Sequence, residues 1–182
     1  MSAFHFANLT PDLILHALAN TGVYLDSGLT ALNSYENRVY QFRGEDQLRY
    51  VVKFYRPERW SAEQIREEHA LAAYLQEQEV NVACPLLLQG QTLHHYQGFL
   101  FAVWPSLGGR HLEPDNLDQL EAVGHQLGRW HSISAGLALP SREKLTYEGF
   151  VLPAIAKLKS SRPWPVSLDK DFHTLLTELQ LL

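Results

Sequence analysis

Trp104-Pro105-Ser106-Leu107-Gly108-Gly109 divides this sequence into two unlike parts, and that division constrains the fold more than any other stretch. Proline removes a backbone donor and paired glycines free the chain, so regular structure is interrupted here. Before the break, short apolar runs alternate with turn residues; after it, apolar residues recur at helical spacing. Segregated strands and helices read as α+β.

Within the first part, Thr10-Pro11 caps a short helix in which Leu13, Ile14, Ala17 and Leu18 share a face until Gly22. Val23–Leu25, Leu29–Leu32, Val39–Phe42 and Tyr50–Tyr55 then read as strands, and connections this short predict an antiparallel meander. Ser61 and Gln64 form a capping-box pair, opening a helix through about Gln78 with Ile65, His69, Ala72 and Leu75 on one face. Val82–Leu88 and Leu93–Val103 read as further strands, interrupted at Gln89-Gly90-Gln91 and Gln97-Gly98. The expected fold is a five-stranded antiparallel sheet with two helices over residues 1–103, a connecting segment at 104–110 and a helical region at 111–182. In that last region Leu117, Leu120, Gly124, Leu127 and His131 form a stripe between Asp115 and about Ser132. A short helix over Pro153–Lys159 and a final amphipathic helix carrying Phe172, Leu175, Leu176 and Leu179 follow, the latter running into Leu181-Leu182.

Val51-Val52-Lys53-Phe54-Tyr55 carries the most informative single residue. Strand alternation puts Val51, Lys53 and Tyr55 on one face and Val52 and Phe54 on the other, so the lysine shares its face with apolar neighbours. Edge strands carry lysines against aggregation. Here a polar loop, Leu32-Asn33-Ser34-Tyr35-Glu36-Asn37-Arg38, precedes the strand, and a helix bearing two acids follows. Strand lysine, covering loop and helical glutamate are the parts of a kinase nucleotide site. Glu67 and Glu68 lie fourteen and fifteen residues after Lys53, and both are candidate partners. Glu68 precedes Ala72 by four and lies near the buried stripe; Glu67, about 100° round, points more towards water. Ser34 is the candidate phosphate contact, with Tyr35 and Glu36 at the loop tip. The loop is neither a Gly-x-Gly-x-x-Gly string nor a Walker motif.

Composition excludes other classes. A formal charge of −5 disfavours nucleic acid as the main partner, although Arg38, Arg49, Lys53, Arg56 and Arg59 gather positive charge suited to a phosphate-bearing small ligand. No run approaches the ~20 apolar residues of a membrane span, and Met1 to Asp12 has no signal-peptide pattern, so the expected compartment is the cytoplasm. Cys84 is the single cysteine and sits beside Pro85 in an apolar stretch, as an inert buried thiol would. The nine histidines lack ligand spacing: His94 and His95 point to opposite faces, and His125 and His131 are six apart. No metal ligand is assigned.

Leu32 to Phe42, Val51 to Trp60, Gly98-Phe99, Pro105-Ser106 and Gly108-Gly109-Arg110 together resemble bacterial stress-response kinases of the aminoglycoside phosphotransferase and choline kinase-like branch of the kinase fold. The resemblance spans about residues 2 to 131. It implies a cytoplasmic Ser/Thr protein kinase protecting against stress-induced cell death. ATP would meet Ser34, Lys53 and Glu68, and adenine a hinge at Val103 to Ser106, with Trp104 within it. Mg²⁺ and a Ser/Thr protein substrate are implied too. The branch carries its catalytic aspartate in a His-Gly-Asp string, followed by an asparagine and a metal-binding aspartate, and no such string is present. No catalytic residue is therefore assigned. The chain reads as an N-terminal lobe, hinge and incomplete helical lobe ending before the catalytic loop, with self-association expected through exposed C-terminal helices. A small-molecule kinase acting on an amino alcohol, homoserine or aminoglycoside shares this pattern, as does a non-catalytic nucleotide-binding or interaction module.

Overall fold

The computed structural model describes residues 6–109, 111–161 and 166–179. Arg110, Trp164, Pro165 and Leu181-Leu182 lie outside the described residues, as do the side chains of Lys159, Leu176 and Leu179. The chain forms two compact units, residues 1–141 and 142–182.

In the first unit, α1 (Pro11–Ala19) starts where Thr10 Oγ1 accepts from Leu13 N, with proline pre-set at the first helical position. The strands β1 (Thr30–Leu32), β2 (Arg38–Arg43), β3 (Arg49–Phe54), β4 (His94–Tyr96) and β5 (Phe99–Pro105) form one antiparallel sheet in the order β1-β2-β3-β5-β4. The β4–β5 hairpin turns at Gln97 (φ 44°) and Gly98 (φ 87°), both left-handed, the geometry that matches the twist of a two-residue hairpin.

Two expected strands are absent. Val23–Leu25 makes only an isolated bridge, from Leu25 to Gly44. Val82–Leu88 is an extended segment beside the sheet, tied by Leu86 N to Val103 O at 2.7 Å. Pro85 has no donor, and the chain instead folds back through a Leu88–Gln91 bridge.

Alternation gives the sheet two different faces. Phe42, Val52, Phe54, Phe99, Phe101 and Val103 pack with Ile14, Ala17 and Leu18 of α1, and Phe54 stacks on Phe101 at 5.1 Å. The opposite face meets α2 (Ala62–Glu77), whose Ile65 is buried with Tyr55, Leu93 and Ala102, flanked by Trp60 and Trp104. The Ser61–Gln64 capping box opens this helix reciprocally. α3 (Leu117–Ser134) follows the break, capped by Asn116, and none of its residues is buried.

The second unit contains a π-helical turn (Tyr147–Val151) leading into α4 (Leu152–Ser161), then a 3₁₀ turn (Val166–Leu168) leading into α5 (Asp169–Leu179). α4 starts one residue before and ends two residues after the Pro153–Lys159 expected, and Thr146 caps the turn that leads into it by accepting from Gly149 N.

Candidate functional site

Register brings the candidate residues together. Lys53 pairs with Ala102 on β5 and with Val39 on β2, and Val51 pairs with Trp104, so Lys53 and Trp104 share the α2-facing side of the sheet. The Lys53 ammonium donates to Glu68 Oε1 at 3.1 Å. It also lies 4.6 Å from the Tyr55 ring centre and 4.7 Å from that of Trp104, on the electron-rich faces. The lysine side chain is 22 % exposed and that of Glu68 44 %. One carboxylate and two aromatic rings thus offset the desolvation of a cation on an apolar strand face, while its remaining N–H donors can serve a second anion.

Glu67 does not point to water. Its Oε1 accepts from Ser141 N at 2.9 Å and its Oε2 is buried, while Gln64 Nε2 donates to Ser141 O at 2.9 Å. Positions three apart on one helix face thereby grip both polar groups of one peptide residue. No local pattern signals this contact, because the partner is a backbone 74 residues away.

The loop before β2 is braced against the β3–α2 connection. Ser34 Oγ accepts from Asn37 N at 3.3 Å, and Asn37 Oδ1 accepts from Arg56 N at 3.2 Å. A hydroxyl used as an acceptor keeps a proton to donate to a phosphate oxygen. Tyr35 projects outward, 97 % exposed. The Glu36 carboxylate turns back to accept from Trp60 Nε1 at 2.7 Å and from Arg59 Nε at 3.2 Å. Glu36 therefore braces the loop, and its pairing with Arg59 reduces the positive charge the sequence had suggested for this segment.

At the end of β5 the three hinge candidates differ. Val103 buries its side chain in the α1-side core and offers only backbone to the other face. Trp104 presents its ring beside Lys53. Ser106 remains tied to the sheet, its N donating to Arg49 O at 2.8 Å and its Oγ accepting from Gln41 Nε2 at 2.7 Å. Exposed chain begins at Leu107. A recess of about 490 Å³ opens at the outer strands, walled by Thr30, Gln41, Arg43 and Arg49 among others. Lys53 is not among its lining residues.

Sequence reasoning missed the role of His69. It is 4 % exposed, its Nε2 is 2.9 Å from the Tyr55 hydroxyl and its Nδ1 2.9 Å from Thr92 Oγ1. Burial pushes its pKa down to about 4, so the ring is neutral at pH 7 and each nitrogen has a hydroxyl partner. A histidine on an otherwise apolar helix stripe was the available signal. Cys84 is half-buried rather than buried, near Pro105 and Leu107, and desolvation raises its thiol pKa.

Known proteins of similar sequence and fold are kinases by name. Stress response kinase A of Escherichia coli is 62 % identical over 130 residues, covering 71 % of this chain and 40 % of that protein. A Salmonella typhimurium protein named serine/threonine protein kinase RdoA is 60 % identical over 130 residues, with the same coverage, 71 % and 40 %. The chain thus spans 40 % of the length of these curated relatives. Among solved structures, the amicoumacin kinase hAmiN in complex with AMP-PNP, Ca²⁺ and Ami has a TM-score of 0.66 at 23 % identity, covering 85 % of this chain and 48 % of that one. A microcompartment-associated aminopropanol kinase has a TM-score of 0.64 at 20 % identity, covering 76 % and 46 %. These likenesses establish a shared kinase-like fold. The sequence also matches the phosphotransferase enzyme family over residues 28–180. A match running from before the lysine strand into the last helix carries the assignment that one paired lysine could not: the chain belongs to the phosphotransferase enzyme family.

Proposed function

We propose that this chain carries the nucleotide-binding part of an ATP-dependent Ser/Thr protein kinase of the stress response kinase A type, acting in the cytoplasm to protect against stress-induced cell death. Residues 1–103 are its N-terminal lobe, 104–110 its hinge and 111–182 part of its helical lobe. The observation that carries the reading is the 3.1 Å contact between Lys53 Nζ and Glu68 Oε1 on the sheet face that Trp104 shares. Lys53 orients the ATP phosphates and Glu68 orients Lys53. Ser34 donates to a phosphate oxygen, while Tyr35 and the Glu36-braced loop cover the site. Val103, Trp104 and Ser106 receive the adenine.

In such transfers Mg²⁺ neutralises charge on the phosphates. Among the described residues no group of three His, Cys, Asp or Glu side chains is placed to hold a metal ion. The described residues do not make up a complete metal site. Among the described residues no helix is long and apolar enough to cross a membrane.

A second reading, a small-molecule kinase acting on an amino alcohol, homoserine or aminoglycoside hydroxyl, is favoured by the names of the structural neighbours, an amicoumacin kinase and an aminopropanol kinase. One experiment separates the two. The 182-residue chain, and a version extended through a His-Gly-Asp catalytic segment, are incubated with labelled ATP, Mg²⁺ and either a general protein acceptor or a panel of amino alcohols. The proposal expects the extended form to label protein and the short form to label nothing. Label in an amino alcohol alone establishes the second reading, and no transfer by either form leaves a non-catalytic module.

A further inference from the structure

The two rings flanking Lys53 both end on one side chain. His69 Nε2 lies 2.9 Å from the Tyr55 hydroxyl, and the Trp104 ring meets the imidazole edge-on at 5.8 Å and 87°. On its other side His69 Nδ1 lies 2.9 Å from Thr92 Oγ1, in the segment leading to β4. His69 also directly follows Glu68, so whatever fixes the rotation of this turn of α2 fixes where the Glu68 carboxylate points. A leucine of similar bulk could fill the space but could bond neither hydroxyl. Burying a bonded imidazole in its place costs desolvation that packing alone does not require.

We propose that His69 is a positioning residue for Lys53. Bonded to Tyr55, the residue that follows β3, and to the β4 approach through Thr92, it fixes the ring walls beside the ammonium and the helix turn that presents Glu68. The functional weight of this role rests on the reading of Lys53 as a phosphate ligand, but its geometry can be tested without nucleotide.

The test is lysine-selective ¹³C,¹⁵N NMR on the 182-residue chain without ATP, with the Lys53 signal assigned by its loss in Lys53→Arg. Ring currents from Tyr55 and Trp104 should place the Lys53 ε-methylene protons upfield of those of the other lysines. In His69→Leu the signal should move towards the other lysines. His69→Gln, which keeps a hydrogen-bonding group, should hold part of the displacement. Thr92→Val should give a smaller move in the same direction. An unmoved Lys53 signal in His69→Leu, or equal displacement in the Leu and Gln variants, overturns the proposal in favour of a packing role. Should His69→Leu fail to fold, Thr92→Val decides: a moved signal supports the proposal and an unmoved one overturns it. A separate ATP titration of the unmodified chain tests the nucleotide reading. Its failure would remove that reading and leave the lysine signal to decide this one.

Discussion

Lys53→Met and Val52→Ala, one residue apart on opposite faces of β3, should have opposite consequences. The Lys53–Glu68 pair has side chains 22 % and 44 % exposed, and a pair so open to water contributes roughly 0–1 kcal/mol. The contacts of the ammonium with the Tyr55 and Trp104 rings add about 0.5–1 kcal/mol each. Methionine keeps most of the apolar stem and removes the desolvated charge, and Glu68 can turn to solvent, so the net loss should stay below about 1.5 kcal/mol. Val52 is fully buried in the core between sheet and α1. Truncation there removes two methyl groups at about 0.8 kcal/mol each and leaves a cavity, for a loss of about 2–3 kcal/mol. Urea unfolding followed by tryptophan fluorescence measures both, and an ATP titration completes the contrast: Val52→Ala should retain ATP binding while folded, and Lys53→Met should lose it. A Lys53→Met loss above about 3 kcal/mol, the signature of a broken buried ion pair, would make the lysine a structural residue instead.

Two further outcomes follow from single residues. The His69 pKa, lowered from 6.5 to about 4 by burial, means the unfolded chain binds the proton more readily. The His69 contribution to stability is therefore fully present above pH 6.5 and lost as pH falls towards 4; urea midpoints across that range should fall more steeply for the unmodified chain than for His69→Leu, and parallel curves would contradict this. At Gly44 an added Cβ would lie 2.7 Å from Asp46 Oδ1 and 2.9 Å from Tyr50 Cε2, within the turn that the Tyr50–Asp46 hydrogen bond closes. Gly44→Ala should cost about 1–3 kcal/mol, and an unchanged urea midpoint would show that the turn yields freely.

The parts of this architecture written in local sequence were the most legible. Thr10-Pro11 and Ser61 with Gln64 announce helix starts because the capping groups lie within four residues of each other. Period-two alternation placed Lys53 and Val52 on opposite faces. Strand pairing was less legible: Val82–Leu88 has the apolar run of a strand, but Pro85 and the fold-back at Leu88–Gln91 replace a ladder with isolated bonds. The surroundings of Lys53 were only half visible. Tyr55 follows from alternation, whereas Trp104 reaches the site through the β3–β5 register, which no local pattern specifies. Glu67 misled for the same reason, since its partner Ser141 is remote in sequence. Glu36 looked like a loop-tip acid and instead meets Trp60 and Arg59 across 24 and 23 residues.

The claim that the Lys53 face receives nucleotide phosphates is tested most directly by calorimetric titration of ATP into the 182-residue chain, beside Lys53→Met. Weak, saturable binding by the unmodified chain and none by the variant is expected, with the two proteins equally folded by circular dichroism. Binding of equal strength by both, or no binding by the unmodified chain, would contradict it.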